Sequence, residues 1–182
     1  MINVRRKKIS AVDNTPHNLN YLSQLNFKFL LKKAPHVNFF IQKVSIPRIF
    51  LKEANTPNPF VKIPYPGEHL DYSNLDITFI IDEAMQNYLE IHDWIRALGK
   101  PHDFEEYATI QNKPIASGDG IYSDITLSIL SNIKTMNYDI NFIDAYPVAL
   151  SPVTFNTTDT DVRYLTAIAS FKYTYFDIVK TI

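Results

Sequence analysis

The feature that most constrains this sequence is a two-residue alternation of apolar and polar side chains, which recurs along much of its length. Such alternation is typical of half-buried β-strands, because successive side chains point to opposite faces of a strand. The apolar members are Leu25, Phe27, Phe29 and Leu31; Val37, Phe39 and Ile41; Leu75, Ile77, Phe79 and Ile81; Ile125, Leu127 and Ile129; Tyr138, Ile140 and Phe142; and Ala167, Ala169, Phe171, Tyr173 and Tyr175. We therefore expect a mostly antiparallel protein, with a hairpin over residues 25–46 and one long final strand over residues 167–176.

Residues 82–98 carry the one clear helical pattern. Their apolar stripe recurs at spacings of three and four residues and consists of Ala84, Tyr88, Ile91, Ile95 and Leu98. Asp82 is a good N-cap residue, and Gly99 stands where a left-handed C-cap is expected. We expect the helix to be held in the core by Tyr88, Ile91, Trp94 and Ile95. The predicted fold class is α+β, a β-sandwich or barrel carrying one packed helix.

A proline-rich stretch separates the second predicted strand from the third. Its prolines are Pro47, Pro57, Pro59, Pro64 and Pro66. Each proline removes a backbone donor, so this stretch cannot be an inner strand of a sheet. We predict an extended loop over residues 48–70. Its apolar side chains, which we expect to need a partner, are Phe50, Phe60, Val61, Ile63 and Tyr65.

Charge is distributed unevenly along the chain. Residues 1–33 hold seven Lys or Arg and one acid, which gives +6, and the remaining residues hold 11 basic and 18 acidic groups, which gives −7. Residues 1–20 lack a sustained period and are predicted to form an N-terminal arm. The basic quartet of that arm is Arg5, Arg6, Lys7 and Lys8. It is compatible with a solvated terminus, with docking on the acidic body of a neighbouring copy, or with nucleic-acid binding.

Composition and motifs exclude several classes of protein. A chain of 182 residues that is 46% hydrophobic has the size and apolar content of a single domain, here 1–182. It contains no cysteine, so disulfides and thiolate metal sites are excluded. No apolar run approaches the ~20 residues of a transmembrane helix, so we expect no membrane insertion by this chain. His69 and Asp71 lack an evident third metal ligand. We expect no catalytic site, no cofactor and no metal.

Several segments together resemble a known family, the tail tube proteins of contractile-tailed bacteriophages. That family has a strand ending in Leu-Pro or Ile-Pro, then a loop, a strand leading to Asp-Glu, and a helix closing with Trp. The matching stretches cover about residues 37–178 and are FFIQKVSIP at 39–47, YPGE at 65–68, LDITFIIDEAMQNYLEIHDW at 75–94, Tyr146-Pro147, and FKYTYFD at 171–177.

This resemblance implies a structural virion protein and no enzymatic activity. Tube proteins of this kind form hexameric rings that stack into a hollow conduit for DNA during ejection, without binding the DNA specifically. The implied partners are further copies of the chain, the tail sheath and baseplate hub proteins. The implied location is the virion tail, assembled in the cytoplasm of the host bacterium. The resemblance favours the main tube subunit, closely followed by a baseplate tube initiator.

Within this resemblance, residues 1–20 and 48–70 are the expected inter-ring elements. The individual contact residues are Arg5, Arg6, Lys7, Lys8, Phe50, Phe60, Val61, Ile63 and Tyr65. The main alternative is a nucleic-acid-binding β-barrel that uses the basic arm and aromatic platforms, although the acidic body argues against it. An enzyme with a scattered site and an unrelated β-sandwich module are further alternatives.

Overall fold

The computed structural model describes residues 19–56, 59–99, 107–108, 120–158, 160–161 and 163–181. The basic quartet Arg5–Lys8 and almost all of the predicted arm lie outside these residues. In chain order the elements are β1 Phe27–Leu31, α1 Pro35–Phe40, β2 Ile41–Val44, β3 Ile49–Thr56, β4 Ile63–Tyr72, β5 Leu75–Ile80, α2 Gln86–Gly99, β6 Ser123–Leu130, β7 Met136–Leu150, β8 Thr166–Lys172 and β9 Tyr175–Lys180.

Two antiparallel sheets share the long strand β7. The first half of β7 pairs with β6 and β9, and β6 pairs in turn with β1; we call these four strands the A sheet. The second half, from Tyr146, pairs with β8, which is followed by β5 and β2; we call these the B sheet. Asp144 has a φ of 55° where β7 passes between the two. This arrangement confirms the predicted α+β class with mostly antiparallel strands.

The core lies between these sheets and follows the predicted alternation. In β5, every second residue is buried, and each faces a buried residue of β8 across the ladder: Leu75 with Phe171, Ile77 with Ala169, and Phe79 with Ala167. In the last two of these pairs a large side chain faces a small one, which keeps the layer evenly filled. An aromatic cluster adds to the core, with the rings of Phe142 and Tyr173 5.0 Å apart. Aromatic pairs at such distances stabilise beyond the area that they bury.

The predicted single strand over residues 167–176 is wrong, because the chain changes sheet in its middle. β8 ends at Lys172 in the B sheet and β9 begins at Tyr175 in the A sheet. The crossing lies beside the bend of β7, where the amide of Thr174 donates to the carbonyl of Ile143 at 3.0 Å. Alternation continues across this crossing in the sequence, so the pattern alone does not reveal it.

Helix α2 begins at Gln86, four residues later than predicted, and Asp82 is not its N-cap. Met85, with a φ of 54°, interrupts the helical conformation before that point. Asn87 is fully buried, and its side-chain amide donates to the carbonyl of Ile80 at 2.8 Å. Its own backbone amide donates to Oδ1 of Asp82 at 3.1 Å. These bonds fasten the start of the helix to the end of β5.

The inner face of α2 carries the side chains expected to hold it in place. Ile91 and Trp94 are buried, while Tyr88 and Ile95 are partly buried and pack against the core. The indole of Trp94 donates to the carbonyl of Ile121 at 3.1 Å. Gly99 is the last helical residue and does not adopt the predicted left-handed conformation.

The predicted hairpin over residues 25–46 is wrong, because a short helix interrupts it. β1 pairs with β6, β2 pairs with β5, and α1 lies between them. Pro35 suits the first turn of a helix. The side chain of Asn38 then accepts from the amide of Leu31 at 2.8 Å and donates to its carbonyl at 3.2 Å. Val37 is buried and Phe39 is 85% exposed, as a helix requires and an alternating strand does not.

Helix α1 is also held to α2 by an exposed ion pair. Nδ1 of His36 lies within hydrogen-bond distance of Glu90 Oε1, and the backbone amide of His36 donates to Oε2 at 3.3 Å. The hydrogen bond that His36 donates to the carboxylate of Glu90, helped by the charge of that carboxylate, raises the pKa of His36 above the ordinary value of 6.5.

The predicted loop over residues 48–70 is wrong as well, because most of it forms a β-hairpin. Strands β3 and β4 pair with each other from Ile49 with Tyr72 to Thr56 with Ile63. Among the described strands they form a separate two-stranded sheet. Pro64 and Pro66 are tolerated in β4 because no described strand other than β3 pairs with it and needs their missing donors. We call this unit, residues 49–72, the exposed hairpin.

Candidate assembly surfaces

The exposed hairpin leaves its apolar side chains outside the core. Of the residues of β4, only Gly67 and Tyr72 are even partly buried. Phe60, at the turn, is 94% exposed. The exposed large apolar side chains of the hairpin are Ile49, Phe50, Leu51, Phe60, Val61, Ile63, Tyr65 and Leu70. So many exposed apolar side chains on one unit are typical of an interaction site.

The root of the exposed hairpin is tied to the core by hydrogen bonds. The amide of Arg48 donates to the hydroxyl of Ser73 at 2.8 Å, and the amide of Ser73 donates to the carbonyl of Arg48 at 3.0 Å. The buried hydroxyl of Tyr173 donates to the carbonyl of Ser73 at 3.0 Å. Burial raises the pKa of Tyr173 to about 12, so this donor is retained across the neutral range.

A close backbone contact shapes the middle of the exposed hairpin. The register shifts between Leu51 and Glu53, and at this point Gly67 lies against the carbonyl of Lys52. A Cβ atom on Gly67 would come within 2.1 Å of that carbonyl oxygen, which real structures do not tolerate. Only glycine allows this approach, so the irregularity is built into the sequence.

The A sheet ends in two strands, β1 and β9, each paired on one side only among the described strands. The amide of Thr181 donates to the carbonyl of Asn137 in β7 at 3.1 Å. Because amides alternate in direction along an antiparallel strand, those of Ile178 and Lys180 point to the open side. Ile178 is 58% exposed, and Tyr175 and Val179 are exposed as well. An apolar open edge is a template for pairing with another strand.

The face of the A sheet that points away from the core carries more acids than bases. Asp124, Asp139 and Asp177 each lie next to a buried residue, on three adjacent strands. Lys28 lies on the same face of β1, and Lys32 forms an ion pair with Asp124 at 3.7 Å. The hydroxyl of Thr181 donates to Asp139 at 3.1 Å.

The structure brings together one of the two predicted sets of contact residues. Phe50, Phe60, Val61, Ile63 and Tyr65 all lie on the exposed hairpin. The other set, Arg5, Arg6, Lys7 and Lys8, is outside the described residues. Sequence reasoning missed the β9 edge, because it treated residues 167–176 as one strand. The apolar pair Ile178 and Val179, which follows Asp177, was the available signal in the sequence.

Within the described residues, no three His, Asp or Glu side chains are placed to hold a metal ion. In the same part of the chain, none of the helices has the length and apolar character needed to cross a membrane.

Comparison with known proteins identifies a related sequence. The chain is 30% identical to the tail tube terminator protein of Enterobacteria phage T4 over 168 residues. The alignment covers 87% of this chain and 90% of the T4 protein. No protein-family model matches the sequence.

Solved structures share the fold at low sequence identity. The anti-feeding prophage tube terminating cap matches with a TM-score of 0.57 and 13% identity, covering 94% of this chain and all of that chain. The sheath/tube terminator of the extracellular contractile injection system PVC, in its extended state, matches at 0.56 and 15% identity, covering 89% of this chain and 99% of the other. The anti-feeding prophage baseplate matches at 0.57 and 11% identity, covering 84% and 90%. At these identities the likeness establishes the fold alone.

The predicted relation to tail tube proteins is confirmed at this general level. The related sequence is a terminator, however, and is neither the main tube subunit nor the baseplate initiator that the sequence motifs favoured. Nothing in this relation indicates catalysis. The chain belongs to the tail tube terminator family of bacteriophages and is a structural component of the virion tail.

Proposed function

We propose that this chain forms a homohexameric ring that stacks on the last ring of the inner tail tube and ends it, leaving an open lumen for DNA during ejection. The relation to the T4 terminator over most of both chains supports the position at the end of the tube. The proposal treats residues 1–182 as one domain.

The open edges of the A sheet are the observation that carries the ring. β1 and β9 lie at opposite edges of the same sheet, so β9 of one copy can pair with β1 of the next. Such a head-to-tail contact uses two different surfaces. It closes into a ring only if the successive rotations between copies add up to one full turn. Closure would leave no A-sheet edge exposed to water, which removes the aggregation hazard of an apolar edge strand.

In this ring the face of the A sheet that points away from the core lines the lumen, because the B sheet and α2 pack on its other side. Asp124, Asp139 and Asp177 outnumber the two lysines on that face, Lys28 and Lys32. Their like charge would let the phosphate backbone pass without binding.

The exposed hairpin supplies contacts to the adjoining tube ring in this proposal. Phe50, Phe60, Val61, Ile63 and Tyr65 would be covered there. The basic quartet Arg5–Lys8 remains a predicted contact, and the sheath and baseplate hub proteins remain predicted partners. The solved structure of the PVC sheath/tube terminator makes the sheath the better supported of the two. Assembly in the host cytoplasm is part of the same proposal.

Electron microscopy of the purified chain tests the ring. We expect single or doubly stacked rings with six-fold end views at high protein concentration. Long tubes from this chain alone would contradict termination and favour a tube subunit. A monomer that persists at all concentrations, with and without purified tube ends, would contradict the ring.

The variant Ile178→Pro tests the edge itself. Proline removes the amide that points to the open side of β9, while the amides that bond to β7 remain. We expect Ile178→Pro to stay folded, by its far-ultraviolet circular dichroism, and to form no rings. Ile178→Thr is the matched control, since it loses the same apolar side chain but keeps the amide; it should form rings. Rings from Ile178→Pro would show that β9 is not the contact.

A further inference from the structure

A side chain closes one end of the open edge of β1. The carbonyl of Asn26 accepts from an amide of β6 at 2.9 Å, so the amides of every second residue from Phe27 point away from β6. The last of these residues is Leu31. Its outward amide donates to the side chain of Asn38 at 2.8 Å, and its carbonyl accepts from the same side chain at 3.2 Å. Among the described residues, the outward groups of β1 that remain for a partner strand are those of Phe27 and Phe29.

The open edge of β9 presents matching backbone groups. Its outward amides belong to Phe176, Ile178 and Lys180, because the amide of Thr181 points to β7. β1 pairs antiparallel with β6, β6 with β7, and β7 with β9, so β1 and β9 run in opposite directions. A rotation about an axis that lies along the strands preserves these directions. In the ring, β9 of one copy therefore runs antiparallel to β1 of the next.

Each of the two edges also carries a charged side chain on the face that points away from the core. Lys28 is exposed in β1, and Asp177 is exposed in β9. Within one copy they lie opposite the neutral side chains of Ser128 and Asn141. The ion pairs found among the described residues involve neither of them. Their charges are opposite in sign, and such pairs stabilise a sheet when they face each other across two strands.

We propose that β9 of one copy pairs with β1 of the next in one register, which places Asp177 opposite Lys28 and which Asn38 fixes by closing the end of β1. This inference rests on the ring proposed above and adds the register to it. In an antiparallel ladder only a slip of two residues keeps donors opposite acceptors and each side chain on its own face. The competing registers therefore differ by two residues.

The proposed register uses the outward groups of both strands. Phe176 lies opposite Phe29, and Ile178 lies opposite Phe27, each as a hydrogen-bonded pair. The side chain of Ile178 is 58% exposed in the single copy and gains an apolar neighbour in Phe27. The charged pair falls between these two bonded pairs, at a position of the ladder where side chains lie closest together.

Both competing registers lose part of this match. A slip of two residues toward α1 brings β9 against Leu31, whose outward groups Asn38 already bonds. It also moves Asp177 opposite Leu30, which is apolar. The opposite slip moves Asp177 opposite Asn26 and leaves one outward amide and carbonyl of β1 without a strand partner.

Disulfide mapping tests the register, because the chain has no native cysteine. Leu30 and Tyr175 are exposed, and they lie opposite each other in the proposed register, so replacing them leaves both charges in place. Within one copy, β6 and β7 separate their strands by about 14 Å, which is too far for a disulfide. Under mild oxidation, Leu30→Cys with Tyr175→Cys should therefore link neighbouring copies, giving covalent oligomers up to the hexamer.

Two further cysteine pairs serve as controls. Leu30→Cys with Val179→Cys keeps both charges but is four residues, or about 13 Å, out of register. Leu30→Cys with Asp177→Cys reports the slip toward α1. We expect both to link at least about tenfold more slowly than the proposed pair. Equal rates in all three, or a fastest reaction in either control, would overturn the register.

Electron microscopy of the same samples separates the register from the ring. Rings that form without the expected link would contradict the register and leave the ring standing. The absence of rings at any concentration would overturn both.

The role of Asn38 has its own measurement. Asn38→Ala frees the outward groups of Leu31, while buried Val37 still anchors α1. We therefore expect the slipped pair, Leu30→Cys with Asp177→Cys, to link at least about fivefold faster in Asn38→Ala than with Asn38 present. If Asn38→Ala slows the slipped pair and the proposed pair equally, Asn38 only supports the fold and does not fix the register.

A charge exchange tests the ion pair without cysteines. Lys28→Asp and Asp177→Lys should each raise the protein concentration needed for half-maximal ring formation by at least about threefold, because like charges then face each other. The double variant should return to within about twofold of wild type. Lys43→Asp with Asp177→Lys is the matched control, since Lys43 lies in β2, and it should not recover. Failure of the double variant to recover, with its circular dichroism unchanged, would contradict the pair.

Discussion

Two phenylalanines show how differently the two parts of this molecule are built. Phe171 in β8 is fully buried, and its ring centre lies 6.2 Å from that of Trp94. Phe60 on the exposed hairpin is almost fully exposed. The sandwich core therefore satisfies its apolar side chains within one copy, whereas the hairpin presents the same chemistry to the outside. In a chain from a family of tail components, this difference separates the part that folds from the part that we propose to assemble.

The largest expected effect comes from truncating the two phenylalanines. Phe171→Ala should lower the free energy of unfolding by about 3–5 kcal/mol, since it removes a large buried side chain and leaves a cavity. Phe60→Ala should change it by less than about 0.5 kcal/mol, since that side chain is outside the core. Urea unfolding of the non-assembled protein measures both. A cost above about 2 kcal/mol for Phe60→Ala would show that the hairpin is part of the folded core.

Two glycine substitutions extend the comparison between the sandwich core and the exposed hairpin to the backbone. Gly67→Ala forces a Cβ against the Lys52 carbonyl, and overpacking of this kind costs about 1–3 kcal/mol. We expect amide exchange across β3 and β4 to rise by roughly 10- to 100-fold, with little change in the A and B sheets. Gly99→Ala is the control, because nothing lies within 4 Å of its added Cβ. Unchanged exchange in Gly67→Ala would show that the hairpin backbone relaxes without cost.

The smallest expected effect is a pH dependence of thermal stability that arises in the sandwich part. The pKa of His36 is raised in the folded protein, so its contribution to stability is fully present below pH 6.5 and is lost as the pH rises through the folded value. The thermal midpoint of wild type should therefore fall slightly relative to His36→Gln as the pH rises above 6.5. Glu90→Gln should abolish the same difference, and combining both changes should add nothing further. A wild-type midpoint that rises relative to His36→Gln over this range would contradict the assignment.

Local sequence patterns correctly predicted the strands that pair with other regular strands. The alternation of residues 75–81, 125–129 and 138–142 corresponds to β5, β6 and β7, whose buried apolar side chains lie mainly at alternate positions. The pattern failed over Val37, Phe39 and Ile41. Three apolar residues at alternate positions are too few to separate a strand from one turn and a half of helix, and Pro35 with Asn38 decided for the helix.

The proline rule failed in the exposed hairpin for a different reason. Proline excludes an inner strand, but it does not exclude a two-stranded sheet whose outer edges are open. The prediction of contact residues on this segment did not depend on whether the segment forms a loop or a hairpin. Phe50, Phe60, Val61, Ile63 and Tyr65 are all exposed in the hairpin.

By itself, the sequence determined the class of fold, the main strands and the long helix, since these follow from local periodicity and from the burial of one face. It also determined the relation to tail tube proteins. Only the tertiary structure decided where β7 divides between two sheets, where the last strand changes sheet, and which edges remain open. These depend on pairing between residues far apart in the chain, as when Asn137 accepts from Thr181, and no local pattern records such a choice.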